Sequence, residues 1–307
     1  MSEKFIIGID LGGTNLKIAL LDSKFRIKYK ESLSTRKFSD KAELIGAIVS
    51  AVNRIMNDYA ISKKEIAGVG LGLPGPVDHD KGIVHFFPNI PGWKEVRLKD
   101  ILERKLNLKV SIDNDAKLMA LAEYRQGRAR DFKNVLCITL GTGVGGSIII
   151  NGKLYRGANN AAGEIGHLPI NETGPDCNCG GSACLEAYIG NDRIRDLGRR
   201  LFRRDISPEE LSDLAKSGNA KALKIWDEVG AHLGLALAGM VNVLNLDAII
   251  IGGGIANAGK FLFDKVNKVI RARAMTVQAK QVKVFKAELG NEAGMIGAGI
   301  SFMESCA

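Results

Sequence analysis

The chain has 307 residues, of which 46% are hydrophobic and 25% are charged, with a formal net charge of +9 at pH 7. This length is enough for two domains, or for one large domain with a buried core. No stretch approaches the roughly 20 consecutive apolar residues of a membrane-spanning helix, and the apolar run near the N-terminus is too short for a secretory signal, so we expect a cytoplasmic protein without membrane contact.

The first part of the chain has the pattern of an α/β layer. Short apolar runs of strand character come first, and apolar residues then recur with a helical period between Asp40 and Tyr59. A further apolar run ends at a Pro-Gly-Pro turn. The pattern predicts strands at 4–10, 16–21, 27–34 and 66–73 and a helix at 40–59.

The middle of the chain repeats the opening pattern. Asn151-Gly152 is a strong hairpin signal. Glycine turns follow buried strands twice, at 10–14 and at 141–146, which suggests a weak internal duplication with two similar halves facing one cleft. The predicted elements are helices at 98–106 and 116–126 and strands at 109–112, 134–140 and 147–150.

The last part of the chain is mainly helical. The basic run from Arg193 to Arg204 is interrupted by aspartates, and its apolar residues recur at helical spacing. This pattern indicates an amphipathic helix with a solvated basic face, so no nucleic-acid partner is expected. Ser207-Pro-Glu-Glu210 is a capping box. The other predicted elements are helices around 233–246, at 260–274 and from 292 onward, and strands at 247–251 and 283–287.

Four residues have the spacing of a closed metal site. His167, Cys177, Cys179 and Cys184 offer one imidazole and three thiols, the ligand number of tetrahedral zinc, with no position left for a catalytic water. The alternatives are a disulfide or inert thiols. Five cysteines are an odd count, and two cysteines one residue apart suit a chelate better than a disulfide. A structural Zn²⁺ is therefore predicted.

Three glycine turns are candidates for phosphate or nucleotide contacts. In Asp10-Leu-Gly-Gly-Thr14-Asn15 the glycines let backbone N–H groups approach an anionic oxygen, and Asp10 is placed to orient a hydrated Mg²⁺; the alternative is an ordinary hairpin. Leu140–Gly146 has the same character, and because a strand-like run follows it, dinucleotide binding is disfavoured. Gly252-Gly253-Gly254 is either a nucleotide contact or a packing turn.

Two polar segments are candidates for sugar chemistry. Asp113-Asn114-Asp115 lies where a predicted strand ends and a helix begins, so either acid is a candidate helix cap. The competing role is general base, a carboxylate that takes the proton of a sugar hydroxyl, and Asp115 is our choice. Asn89-Ile-Pro-Gly-Trp93 offers an amide beside an indole, which suits a sugar, and a Pro-Gly turn with a core tryptophan is the alternative.

Taken in order, these motifs resemble the ROK family (repressors, open reading frames and kinases), whose sugar kinases belong to the actin-like ATPase superfamily. The resemblance runs from Ile7 to about Gly299, and it is most specific at Glu164-x-Gly-His167 with Cys177-x-Cys179-Gly180-x-x-x-Cys184-Leu-Glu186. It implies an α/β fold with two actin-like (ribonuclease H-like) ATPase lobes around a central cleft and the zinc site in the larger lobe. The expected lobes are 1–112 plus 291–307, and 113–290.

The resemblance also implies an ATP- and Mg²⁺-dependent phosphotransferase that moves the γ-phosphate to a hexose hydroxyl, with glucose and glycolysis the first expectation. Alternatives within the family are a kinase of N-acylhexosamines (N-acetylmannosamine or N-acetylglucosamine) and a fructokinase. A sugar-responsive transcriptional repressor would need a DNA-binding domain before the first strand, which is expected to begin by residue 4. The expected partners are the hexose, ATP and further copies of the chain in a homodimer or higher homo-oligomer.

Site residues follow from the resemblance position by position. Asp115 would be the catalytic base, and His167 would bind zinc through one ring nitrogen while the other faces the sugar. The residues that would contact ATP and Mg²⁺ are Asp10, Gly12, Gly13, Thr14, Asn15, Gly141, Thr142, Gly143, Gly253 and Gly254. Those that would bind the sugar are Asn89, Asn114, Asp115, Glu164, His167 and Glu186, and the zinc ligands would be His167, Cys177, Cys179 and Cys184.

Three positions depart from the family pattern. Ala183 stands where the family usually has Gly, and Gly190 stands where a small hydroxyl residue is common. Asn160 occupies a usual Gly position, and because Asn tolerates a positive φ, that change is mild. None of the three removes a proposed catalytic group.

Overall fold

The computed structural model describes residues 4–35, 38–87 and 92–306. The chain divides into two compact units. The first unit contains Met1–Arg125, Arg156–Ala162 and Asn291–Ala307, and the second contains Gln126–Tyr155 and Gly163–Gly290. These bounds differ from the expected lobes, since residues 113–125 and 156–162 belong to the first unit.

The described residues form 13 strands and ten α-helices. The strands are β1 (Phe5–Leu11), β2 (Asn15–Leu21), β3 (Ile27–Ser34), β4 (Ile66–Leu73), β5 (Val77–Asp78), β6 (Ile83–Phe86), β7 (Lys94–Val96), β8 (Val110–Asn114), β9 (Val135–Leu140), β10 (Val144–Ile150), β11 (Lys153–Tyr155), β12 (Ala248–Gly252) and β13 (Lys283–Lys286). The helices are α1 (Lys41–Asp58), α2 (Leu98–Leu106), α3 (Asp115–Arg125), α4 (Glu186–Ile189), α5 (Asn191–Phe202), α6 (Pro208–Lys216), α7 (Ala220–Leu244), α8 (Lys260–Arg273), α9 (Thr276–Gln281) and α10 (Ala293–Ser305).

The main sheet of the first unit has the order β3-β2-β1-β4-β8. The first three strands form an antiparallel meander, and β4 and β8 run parallel to β1. Since side chains alternate along a strand, Ile7 and Ile9 face the core with α1 and α2, while Ile6 faces α10. Because β8 pairs with β4 and α3 packs on α10, the segment after residue 112 stays in this unit.

The sheet of the second unit has the order β11-β10-β9-β12-β13, with the same strand directions as the first. Its core combines β9 and β12 with α5, α6, α7 and α8. The internal duplication suggested by the two glycine turns is thus confirmed in strand order and direction. Asn151 and Gly152 have φ of 51° and 78°, which confirms the hairpin between β10 and β11.

Several elements differ from those predicted. The predicted glycine turn over 141–146 is confined to 141–143, because β10 begins at Val144. Helix α7 begins at Ala220, well before the predicted 233, since its early charged residues lie on the exposed face of a continuing apolar period. The small sheet of β5, β6 and β7 was not predicted. Among the described residues, no helix has the length and apolar composition needed to cross a bilayer.

Candidate active site

The glycine turn of the first unit joins β1 to β2 and is braced from within the unit. The Gly12 N–H donates to the Asn15 carbonyl at 2.8 Å, which closes the turn. Thr35 donates its N–H to the Thr14 carbonyl at 2.9 Å and its hydroxyl to the Gly13 carbonyl at 3.0 Å. Gly13 and Thr14 are exposed, and in the described residues their own N–H groups have no acceptor. The turn therefore presents two N–H donors to an anion.

Asp10 lies near the end of β1, with a side chain that is 16% exposed. Lys17, its partner in the β1–β2 register, places Nζ 3.6 Å from Asp10 Oδ2. Burial raises the pKa of Asp10, and the charge of Lys17 opposes that shift. Helix α10 begins beside the carboxylate, because a Cβ on Gly294 would lie 2.4 Å from Asp10 Cγ. A largely buried carboxylate next to unused N–H donors fits the ligand preference of a hydrated Mg²⁺.

Asn114, rather than either acid beside it, caps α3. Its Oδ1 accepts the N–H groups of Ala116 at 3.0 Å and Lys117 at 3.3 Å. Its Nδ2 donates to the Gly75 carbonyl at 3.2 Å. Asp115 is the first residue of the helix, is half-buried, and accepts the Ala116 N–H at 2.8 Å. The helix-cap role that the sequence suggested for one of the two acids therefore belongs to Asn114.

The glycine turn of the second unit joins β9 to β10. The Gly141 N–H donates to the Gly143 carbonyl at 3.0 Å. Glu186, at the start of α4, accepts the Val144 N–H with Oε2 at 2.7 Å. That oxygen would lie 2.6 Å from a Cβ on Gly143, so the absence of a side chain at 143 makes room for the carboxylate. Thr142 is exposed at the tip, and no described residue accepts its N–H. This turn also offers a donor to an anion.

The third glycine segment follows β12 and is only partly open. Gly253 has φ of 85°, and a Cβ there would lie 2.1 Å from the Leu140 carbonyl oxygen. Close packing of two strand ends therefore requires glycine at 253, which favours the packing alternative at that residue. A Cβ on Gly254 would meet only Glu209 Oε1 at 4.0 Å, so Gly254 is open to a ligand.

The predicted metal ligands converge in the second unit. One ligand atom from each of His167, Cys177, Cys179 and Cys184 lies within 4.8 Å of the others. The Cys179 and Cys184 sulfurs are 3.7 Å apart, as are Cys177 Sγ and His167 Nδ1. A tetrahedron with zinc–sulfur bonds of about 2.3 Å places its sulfurs about 3.8 Å apart. All cysteines in the described residues are free, and 3.7 Å is too long for a disulfide, so the metal-binding alternative fits best.

Two thiols of this cluster, Cys184 and Cys179, have pKa values shifted in opposite directions. Burial, reinforced by the neighbouring Cys179 and Cys177 sulfurs, raises the pKa of the Cys184 thiol to about 12. Hydrogen bonding from the Gly181 N–H lowers the pKa of Cys179. A dication at the centre would offset both the burial and the repulsion between thiolates. The donor set therefore fits a structural cation such as Zn²⁺.

The remaining proposed sugar ligands lie near this cluster or outside the described residues. Glu164 is exposed and immediately precedes the short 3₁₀ turn that carries His167. Asn89 lies outside the described residues. Trp93 is 3% exposed and packs on Phe87 with ring centroids 5.4 Å apart, which supports the core-tryptophan alternative for that side chain.

With this geometry in place, comparison with known proteins identifies the family. The ROK family model matches residues 6–304. This chain belongs to the ROK family. It is 36% identical to a glucokinase of Halalkalibacterium halodurans over 314 residues, covering 97% of this chain and 95% of that protein. It is 30% identical to a xylose repressor of Caldicellulosiruptor bescii over 305 residues, covering 95% of this chain and 76% of the repressor.

The fold agrees with that of ROK kinases. A glucokinase from Streptomyces griseus, solved in complex with glucose and AMPPNP, superimposes with a TM-score of 0.82 at 30% identity, covering 96% of this chain and 98% of that one. Asn160, at a usual ROK glycine position, has φ of 62°, which confirms that Asn adopts the left-handed conformation there. Ala183, which also stands at a usual ROK glycine position, has φ of 56°, so it carries backbone strain that Gly would not.

Two residues that shape the site were missed by the sequence reasoning. Thr35 braces the first glycine turn, and Gly294 makes room for Asp10. Neither lies in a motif, and each is far along the chain from the turn that it supports. The only signal available was their position: Thr35 directly follows β3, and Gly294 lies in the first turn of α10.

Proposed function

We propose that this ROK protein is an ATP-dependent hexose kinase that converts glucose to glucose 6-phosphate. Similarity to glucokinases along nearly the whole chain carries this proposal. The geometry supports it, because both units present a glycine turn with unused N–H donors, and the first unit adds a half-buried carboxylate at a helix N-terminus.

Asp115 is the proposed catalytic base. Its carboxylate would accept the proton of the sugar hydroxyl as that oxygen attacks the γ-phosphorus, while the bond from phosphorus to the ADP oxygen breaks. Asn114 fixes the start of α3 and so orients Asp115, and its amide is also a proposed sugar ligand. Asp115→Ala should abolish turnover while sugar still binds.

The glycine turns are proposed to hold the phosphates. Gly12, Gly13, Thr14 and Asn15 in the first unit, and Gly141, Thr142 and Gly143 in the second, would direct N–H and hydroxyl donors at phosphate oxygens. Bound Mg²⁺ would neutralise charge on the β- and γ-phosphates, and Asp10 is its proposed protein partner. Gly254, with Gly253 beside it, is the proposed contact for adenosine.

The second unit is proposed to contribute three of the six sugar ligands. Glu164, His167 and Glu186 would bind sugar hydroxyls, joined by Asn89. A structural Zn²⁺ on His167 and the three cysteines would fix the backbone between the two glutamates. The exposed apolar side chains of Val243, Met275 and Val277 on this unit favour a homodimer, which size-exclusion chromatography with light scattering would check.

The deciding experiment is an assay of ADP release across a panel of sugars with purified protein. The proposal predicts ATP-dependent turnover with glucose as the best acceptor, and loss of turnover in Asp115→Ala with glucose binding retained by calorimetry. N-acetylmannosamine, N-acetylglucosamine or fructose as the best acceptor would replace glucose as the substrate. Absence of turnover with every sugar, together with a DNA mobility shift reversed by a sugar, would support the repressor alternative instead.

A further inference from the structure

Asp113, a buried carboxylate two residues before the proposed base, has no role in the reaction described above. Asp113 precedes Asn114 in β8 and is 1% exposed. Its Oδ1 accepts the Asn114 N–H at 2.8 Å, and its Oδ2 lies 2.7 Å from Arg156 Nη1. The second contact is a charge pair rather than an aligned hydrogen bond, since neither atom meets hydrogen-bond geometry with any described residue.

Arg156 is the charge that compensates Asp113. It is the one Lys or Arg within ion-pair distance of Asp113 in the described residues, and its side chain is 24% exposed. His79 places Nδ1 3.8 Å from the carboxylate but only 2.9 Å from the Ile112 carbonyl, which is the nearer acceptor. A buried charge without a partner is strongly unfavourable, so Asp113 depends on the guanidinium.

Arg156 reaches Asp113 from a separate piece of chain. Residues 156–162 belong to the first unit, although the residues before and after them belong to the second. Lys117, which is 3% exposed, holds the same segment by donating to the Asn160 carbonyl at 2.7 Å. Asn160 in turn donates to Asp80 at 3.2 Å. The segment is therefore anchored at both of its ends to the first unit.

We propose that Arg156 is a positioning residue for the kinase reaction. By pairing with Asp113 Oδ2 it holds that side chain in place, so that Asp113 Oδ1 continues to accept the Asn114 N–H. Asn114 then caps α3 with the geometry that presents Asp115. Without Arg156, the Asp113 side chain would turn toward water, and the turn that carries Asp115 would shift. This inference rests on the proposed role of Asp115 as base.

The test compares steady-state kinetics of purified full-length variants with ATP and the best sugar acceptor. Arg156→Met should lower kcat about 100-fold, because small displacements of a reacting group are costly, and should leave the KM for ATP within about twofold of wild type. Arg156→Lys keeps the positive charge but lacks the planar guanidinium. Its kcat should be about tenfold higher than that of Arg156→Met. Arg54→Met, which removes the Arg54–Glu31 ion pair elsewhere in the same unit, should leave kcat unchanged.

A double-mutant cycle with Asp113→Asn shows whether Arg156 acts through Asp113. The Asn keeps an acceptor for the Asn114 N–H and leaves no buried charge, so Arg156→Met added to it should lower kcat no more than about threefold further. Circular dichroism would verify folding. If Arg156→Met alone fails to fold, the double variant and Arg156→Lys provide the kinetic test.

The outcomes separate this inference from the proposed function. A wild-type kcat in Arg156→Met would overturn the positioning role while leaving the kinase intact. A loss of kcat in the double variant equal to the product of the two single losses would do the same. A drop in kcat accompanied by an equal rise in the KM for ATP would indicate general damage and would also overturn it. A wild-type protein that phosphorylates no sugar would overturn the proposed function, and the inference with it.

Discussion

The two sheets share strand order and direction, yet their glycine turns are held in different ways. In the first unit the turn follows its own acid, Asp10, and is braced by Thr35 from the end of β3. In the second unit the carboxylate comes from Glu186, two residues after the cluster residue Cys184. The first turn is thus held by residues at the ends of β1 and β3, and the second by a carboxylate that lies just beyond the Cys/His cluster.

The far turns of the two hairpins differ as well. Between β10 and β11, Asn151 and Gly152 make a compact turn with positive φ, and their N–H groups donate to Asn134 Oδ1 at 3.0 Å and to the Lys133 carbonyl at 2.9 Å. Between β2 and β3, the turn is built around the buried carboxylate of Asp22, which is 1% exposed. Neutral hydrogen bonds hold one turn, and a network of hydrogen bonds to a carboxylate holds the other.

The largest expected effect is on the acid beside the first glycine turn, Asp10. Asp10→Asn keeps the shape of the side chain and removes its charge, so kcat should fall by about 100- to 1,000-fold at saturating ATP and Mg²⁺. The KM for the sugar should change little. Steady-state kinetics with a Mg²⁺ titration would measure both, and an unchanged kcat would remove Asp10 from the phosphate and metal site.

Loss of the proposed structural cation should act on the second unit. Cys179→Ser removes one of four ligands and should abolish stoichiometric zinc by elemental analysis. Because the cluster would no longer hold the chain before Glu186, the KM for the sugar should rise about tenfold. Cys306→Ser is the matched control, since Cys306 lies outside the cluster. A zinc-free variant with full activity would show that the turn does not depend on the metal.

A pair of glycines within one turn tests the contact with Glu186 directly. In Gly143→Ala the new Cβ would lie 2.6 Å from Glu186 Oε2, which must move. Overpacking of this kind costs about 1–3 kcal/mol, so the melting temperature should fall by several degrees. In Gly141→Ala the Cβ meets nothing within 4 Å, so thermal unfolding should change much less. Equal effects of the two substitutions would mean that Glu186 yields without cost.

A second pair of glycines, Gly46 and Gly294, lies in two helices of the first unit. Gly46→Ala in α1 meets nothing within 4 Å and should stabilise the protein by up to about 1 kcal/mol. Gly294→Ala in α10 would bring its Cβ 2.4 Å from Asp10 Cγ, so it should lower kcat by displacing the carboxylate. Thermal unfolding and kinetics of both variants would measure this difference. Equal kcat in the two variants would show that Asp10 tolerates the displacement.

Local sequence patterns predicted most of the elements but not the contacts between them. The period of α1, the Asn151-Gly152 hairpin and the ligand spacing from His167 to Cys184 are all encoded within short stretches. The brace from Thr35 and the approach of Gly294 to Asp10 join residues that only the fold brings together. The sequence alone predicted a single phosphate-binding turn over Leu140–Gly146. Residue type does not distinguish glycines within a strand from glycines in a loop, and β10 begins at Val144.

The smallest expected effect concerns the turn at Asp22. Burial would raise the pKa of this carboxyl, but hydrogen bonds from the Arg26 N–H and guanidinium, the Lys24 N–H and Lys28 outweigh it and lower the pKa to about 2. A lowered pKa stabilises the fold above the unfolded value near 4, and that contribution is lost as pH falls from about 4 through about 2. Asp22→Asn should therefore lower the free energy of unfolding at pH 7 by about 1–2 kcal/mol.

The pH dependence distinguishes this charge effect from a change in packing. Urea unfolding between pH 6 and pH 3 should show wild type losing stability faster than Asp22→Asn as the pH falls, so that the two curves converge. Asp131→Asn, at a carboxylate that is 81% exposed, should follow wild type throughout. Parallel curves for wild type and Asp22→Asn would mean that the charge of Asp22 does not stabilise the β2–β3 turn.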